Sequence, residues 1–132
     1  MRTELLSAIT TAISTLTQFA VSSELPWEQN GMPLYRKNMK KIYVSPDVLT
    51  QSALIPTLDH VNVLENNTVN QVFLSVDAKN NPTQLPQAIA AILSARDRTG
   101  IVNFVTEADY TQETSEDVLT YTFEFRLNSI TT

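Results

Sequence analysis

The stretch EADYTQETSEDVLTYTFEFRL, Glu107 to Leu127, decides how this chain folds. From Leu119 onward apolar and polar side chains alternate strictly. Leu119, Tyr121, Phe123, Phe125 and Leu127 fall on one side; Thr120, Thr122, Glu124 and Arg126 fall on the other. Successive strand residues point to opposite faces of a sheet, so this is a half-buried β-strand with one apolar face. An acidic, Thr-rich run, Thr111 to Asp117, precedes it, and before that Ile101 to Val105 reads as a further strand. Two strands joined by a long polar connection predict an antiparallel hairpin with an extended tip.

Such a strand needs partners for its apolar face, and the rest of the chain supplies them. Leu5, Leu6, Ile9, Ala12, Ile13, Leu16 and Phe19 recur at helical spacing, which predicts an amphipathic helix from Thr3, its N-cap, to Phe19. A second helix is expected over Thr83 to Arg96. It has Leu85, Ala88, Ile89, Ile92 and Leu93 on one face, Pro86 in the first turn and Gly100 as the stop. Between the helices, Met39 to Ser45 reads as a short strand, and Val48 to Thr57 as a helical turn or an irregular connection. Asp59 to Leu64 and Val69 to Asp77 read as a hairpin turning at Asn66-Asn67. The run Val72-Phe73-Leu74 predicts burial on both faces of that second strand. The expected architecture is α+β: an antiparallel β-sheet with two α-helices packed on one face, in the order α-β-β-β-α-β-β, as a single domain over residues 1–132.

Two segments stand apart from this scheme. Ser22 to Asn38 is broken by Pro26, Asn30-Gly31 and Pro33 and reads as a long loop carrying Trp27, Met32, Leu34 and Tyr35. These residues either lid the core or face a partner, since Trp, Tyr and Met are enriched at interfaces. Four of the nine basic residues, Arg36, Lys37, Lys40 and Lys41, gather at its end, a solvated edge or a phosphate-binding patch. Opposed to them in sign are Glu107, Asp109, Glu113, Glu116 and Asp117.

Composition excludes several kinds of chemistry. With no cysteine there is no disulfide, thiolate metal site or thiol nucleophile. His60 is the only histidine, and the acidic run lacks the spacing of a calcium loop. The two glycines, Gly31 and Gly100, form no phosphate cradle, and no Ser sits in a nucleophile elbow. A net charge of −5 argues against a general nucleic-acid binder. No window approaches the apolar length of a membrane span. The chain therefore reads as a non-enzyme with no catalytic, cofactor-binding or metal-ligating residues, acting through contacts with other proteins.

The order of elements and the closing run Asp117-Val118-Leu119-Thr120-Tyr121-Thr122-Phe123 resemble the tail terminator proteins of long-tailed bacteriophages, also called minor tail or tail-completion proteins. The parts that match in outline are Glu4–Phe19, Ser22–Asn38, Lys40–Ser45, Asp59–Asp77, Thr83–Arg96 and Ile101–Leu127. The resemblance implies a structural virion protein at the tail–neck junction, assembled in the host cytoplasm. It would form a homo-oligomeric ring, commonly of six subunits, that caps the tail tube and stops its polymerisation. The implied partners are further copies of itself, the tail tube protein and the head-tail connector protein, with DNA passing through the channel without specific binding. The same outline is open to another phage neck or connector protein, and to a small non-phage α+β adaptor module. The opposed charged segments suit head-to-tail subunit contacts, which close into rings.

Overall fold

The fold is α+β, seen here in a computed structural model that describes residues 2–27, 31, 33–56, 62–95, 104–115 and 117–131. Its elements are α1 (Arg2–Ala12), β1 (Ala20–Val21), α2 (Leu34–Lys37), β2 (Lys41–Val44), β3 (Val48–Pro56), β4 (Asn62–Asp77), α3 (Leu85–Ser94), β5 (Phe104–Ser115) and β6 (Val118–Thr131). One six-stranded sheet runs β1-β2-β4-β6-β5, with β3 pairing β4 beyond the end of β2. Every pairing is antiparallel except the short parallel contact of β1 with β2.

The alternation of the closing stretch becomes burial. Leu119, Tyr121, Phe123 and Phe125 of β6 are buried with Val72, Leu74 and Val76 of β4 and Ile42 and Val44 of β2. Leu5, Ala8 and Ile9 of α1 and Leu85, Ala88 and Ile92 of α3 cover this face, so the two long helices do share one side of the sheet. Leu127 of the expected apolar set is a β6 residue whose side chain lies outside the described residues. The other face carries a smaller cluster, Tyr35, Tyr43 and Phe73, with Leu34 packed against it. Val72 and Leu74 thus face one cluster and Phe73 the other, as the expectation of burial on both faces requires.

Four boundaries differ from expectation, each for a local reason. Helix α1 ends at Ala12 rather than Phe19. Near its end Thr10 and Thr11 donate their hydroxyls to the carbonyls of Leu6 (2.7 Å) and Ser7 (3.1 Å), and Ser14 donates to that of Thr11 (2.8 Å). Such back-bonding competes with helix continuation. Ile13 and Phe19 still reach the core, from turns rather than from a helix. Thr3 is not the cap, because the helix already begins at Arg2.

The expected hairpin turn at Asn66-Asn67 is the middle of β4. Asn66 pairs with Ser52 on one side and Ser129 on the other, and Asn67 with Gln51 and Asn128. Ladder partners on both flanks outweigh the local preference of Asn for turns. The actual hairpin joins β3 to β4, so Val48 to Pro56 is a strand and neither a helical turn nor an irregular connection. The helix expected over Thr83–Arg96 spans Leu85–Ser94; Arg96 and Gly100 lie outside the described residues.

The acidic stretch is not an extended tip. Strand β5 continues to Ser115, which pairs with Val118, so a two-residue connection remains. Thr and Tyr favour strands, and alternation with charge is what an edge strand carries. Asp117 in that connection has φ 64°, the left-handed region that Asp tolerates better than most residues. The overall order therefore gains β1, α2 and β3 over the simpler scheme, while the two strands expected at Asp59–Leu64 and Val69–Asp77 become the single strand β4.

Long-range polar contacts lock the helices to the sheet. Asp47, between β2 and β3, accepts the backbone N–H of Arg2 (3.0 Å) and the Nδ2–H of Asn70 in β4 (2.7 Å). The N-terminal cap of α1 thus comes from a residue remote in sequence. The Arg2 guanidinium donates onward to the carbonyls of Val44 (3.0 Å), Ser23 (2.9 Å) and Glu24 (3.2 Å). At the other end, Gln18 and Gln84 cap each other: the Gln18 N–H donates to Gln84 Oε1 (3.0 Å) and the Gln84 N–H to Gln18 Oε1 (2.8 Å). That reciprocal pair holds the start of α3 against the chain leaving α1.

Burial pushes the Asp47 carboxyl up. Hydrogen bonds from the chain's amino terminus and Asn70, the amino group's positive charge and the Arg2 N–H bond outweigh that and hold its pKa below the ordinary aspartate value. The residue stays largely exposed, so its contribution belongs at the low end of helix caps. Asp47→Ala is expected to cost about 0.5–1 kcal/mol at neutral pH in urea unfolding. A depressed carboxylate pKa stabilises above its unfolded value, and the benefit vanishes as pH falls through the folded value. The gap between variant and parent should therefore close on acidification; a gap that persists at low pH would contradict the assignment.

Candidate functional site

Two surfaces gather the residues that sequence singled out: the two sides of the sheet, with the basic segment entering β2 and the acidic residues on β5, and the face turned away from α1 and α3. The basic segment lies one strand in from an edge, since the outer strand β1 pairs with Lys41 and Ile42 of β2. Helix α2 ends at Lys37, and Asn38 closes it by donating its N–H to the Leu34 carbonyl (2.9 Å). Lys40 then takes φ 72° as the chain swings into β2, and its N–H donates to the Ser75 carbonyl of β4 (2.8 Å). Lys37, Lys40 and Lys41 are exposed, whereas Arg36 is half-buried. The four residues are therefore not equivalent: three are exposed at the surface, and the fourth is partly built into the fold.

The acidic residues lie at the opposite edge. Glu107, Asp109 and Glu113 belong to β5, with register partners Arg126, Glu124 and Thr120 on β6; their side chains lie outside the described residues, as does Glu116. Asp117 is exposed and pairs with Lys79 of the same chain (3.5 Å), an exposed contact worth at most about 1 kcal/mol. Its carbonyl also accepts the Ala78 N–H (2.8 Å).

The two segments are level with each other. The Lys40 N–H bonds Ser75; Ser75 is the register partner of Thr120; Thr120 is the register partner of Glu113. Lys40 and Lys41 thus share one row across the sheet with Glu113, separated by three strand spacings, roughly 14 Å. Within a protomer the basic and acidic segments are held apart.

The second surface is aromatic. Tyr35 of α2 stacks on Phe73 of β4, with ring centroids 4.4 Å apart and 9° between planes. Trp27 meets both edge-on, at 5.4 Å from Phe73 and 6.0 Å from Tyr35. The loop holds this geometry because the Leu34 N–H donates to the Pro26 carbonyl (3.0 Å). Of the four loop residues picked from sequence, Tyr35 is buried and Leu34 half-buried, both in the aromatic cluster. Trp27 is 53% exposed, and Met32 lies outside the described residues. Beside Trp27 opens a cavity of about 400 Å³, bounded by the β2–β3 connection and the outward faces of β4 and β6.

Sequence reasoning missed this cavity because its walls come from four separate segments. The one legible signal was the polar side of β6, and there the structure adds a surprise: Thr120 is buried, its hydroxyl 2.9 Å from that of Ser75. Among the described residues no group of three or more His, Cys, Asp or Glu side chains is placed to hold a metal ion. Among the same residues no helix is long and apolar enough to cross a membrane.

Comparison with known proteins adds little by sequence: no family model matches the chain, and no curated protein matches it. By shape it is similar to a chain described as "Virion of native gene transfer agent (GTA) particle". The alignment covers 95% of both chains at 12% sequence identity, with a TM-score of 0.41.

The aromatic cluster divides its members into structural and accessible residues, and stability measurements should separate them. Tyr35→Ala is expected to cost about 3 kcal/mol in chemical denaturation, the range for a buried aromatic. Trp27→Ala, removing edge contacts from a half-exposed ring, should cost about 1 kcal/mol. Equal losses would mean that Trp27 belongs to the core.

Proposed function

We propose that this chain is a structural protein of a phage virion, a tail terminator that assembles head-to-tail into a ring capping the tail tube. The order of elements supports the reading: an amphipathic helix, an irregular loop, a short strand, a hairpin, a helix and a long closing hairpin, the outline of the proteins it resembles. The observation that carries the ring is the level placement of Lys40 and Lys41, one strand in from the β1 edge, with Glu113 on the β5 edge of the same sheet. Opposite charges held roughly 14 Å apart within a protomer meet without strain between neighbours related by rotation about an axis along the strands.

Strand direction agrees. Strand β2 runs antiparallel to β4, β4 to β6 and β6 to β5, so β5 runs antiparallel to β2. A neighbour placed by rotation alone brings its β5 beside β1, the outer strand that runs parallel to β2, with the alternation continued. In this arrangement Lys37, Lys40 and Lys41 face Glu107, Asp109 and Glu113 of the next copy across the short strand β1. Arg36 and Asp117 play lesser parts, since one is half-buried and the other is engaged with Lys79. The ring, the tail tube protein and the head-tail connector protein are the partners of this reading.

Light scattering coupled to size exclusion tests it. The chain is expected to form a discrete ring-sized oligomer, alone or with tail tube protein. Reversing Lys37, Lys40 and Lys41 to Glu should yield monomers, and adding Lys at 107, 109 and 113 on a second chain should restore mixed rings. Rings that survive the triple reversal at low salt would sink this interface. The net charge of −5 further predicts that the ring does not retain duplex DNA at physiological salt. Retention in a filter-binding assay would contradict free passage of DNA.

A further inference from the structure

Among the described residues that line the cavity beside Trp27, the charged one is Glu124. Pro46, Val48 and Val69 make its apolar sides, and Gln71 stands next to Glu124 on the floor. Trp27 forms the remaining wall. Its indole is pinned edge-on by Tyr35 and Phe73, yet 53% of the residue is open to solvent. Val48 in its wall is itself 54% exposed, so apolar surface continues from the cavity to its opening. Contiguous exposed apolar surface around a concavity marks a binding site more often than chance exposure does.

From this we infer that the cavity receives an arginine side chain presented by an extended segment of another protein. The match is one of charge and shape. An indole face and a carboxylate both attract a cation, and a planar guanidinium can lie on the first while donating to the second. The methylenes of the arginine would lie along Pro46, Val48 and Val69, as long basic side chains do on apolar surfaces. The Gln71 amide oxygen offers a further acceptor. Within the chain Glu124 already draws a guanidinium: Arg126 Nη2 stands 3.4 Å from Glu124 Oε2. Both residues are half-open to water, so that contact is weak and exchangeable. The ring plays no part in this inference: the described lining of the cavity comes from the Trp27 loop, the β2–β3 connection, β4 and β6, although Glu124 is the register partner of Asp109 on β5.

Trp27 is the only tryptophan, so its emission reports on this cavity directly. The full-length protein is titrated with the peptide acetyl-Gly-Arg-Gly-amide, and in parallel with the same peptide carrying norleucine in place of arginine. The expected result is a saturable change in emission with the arginine peptide, and binding at least roughly fivefold weaker for norleucine. Glu124→Gln should weaken arginine binding by roughly tenfold while leaving the circular dichroism spectrum unchanged. Glu124→Asp, which keeps the charge, should retain part of the affinity. Four outcomes overturn the proposal. Equal binding of norleucine would make the cavity a plain apolar groove. Affinity unchanged in Glu124→Gln, or no saturable response, would remove the cation. Emission that shifts on concentrating the protein alone would assign the cavity to a second copy.

Discussion

Every other feature of this molecule hangs on the unbroken antiparallel ladder between β4 and β6, from Leu64 opposite Thr131 to Asp77 opposite Val118. A one-residue slip in it would exchange the two faces of the sheet, turning Phe123 and Phe125 away from the helices and Thr122 and Glu124 toward them. Buried aromatic side chains on one face make such a slip prohibitively costly. The register therefore fixes, in one step, which residues meet α1 and α3 and which meet α2 and Trp27.

The two faces are stabilised differently. The helix-covered face is a large aliphatic and aromatic core closed by α1 and α3, whose ends are tied down by Asp47 and by the Gln18–Gln84 pair. The opposite face is covered only in part. Tyr35, Tyr43 and Phe73 fill one end, the buried Ser75 and Thr120 hydroxyls pair with each other, and the rest opens into the cavity beside Trp27. Partial cover leaves room for binding without loosening the core, because the cavity sits beyond the ladder that holds the sheet together.

Edges and faces thus carry separate tasks in the proposed assembly. Charges at and beside the edges suit contacts between like subunits, where the same two surfaces recur at every junction. A single concave site on the face suits an unlike partner. Neither task calls on the acidic run as a free tip. The structure reassigns Glu107, Asp109 and Glu113 to an edge strand, where their backbone heights are fixed by β6.

What the sequence by itself determined was the periodic part. Alternation from Leu119 to Phe125 gave the strand and its buried side, helical spacing gave α1 and α3, and Val72-Phe73-Leu74 gave burial on two faces. These follow from local geometry, which repeats every two residues in a strand and every 3.6 in a helix. The α+β class followed from their order. Tertiary structure alone decided the rest. Asn66 and Asn67 became strand because β3 and β6 flank them, and α1 stopped early where its hydroxyls bonded back to its own carbonyls. Asp47 became a helix cap for a helix remote in sequence. The row joining Lys40 to Glu113, and the cavity that Trp27 shares with Glu124, exist only once four strands are in register. No local pattern encodes them, because sequence spacing carries no information about which distant backbone will supply the partner.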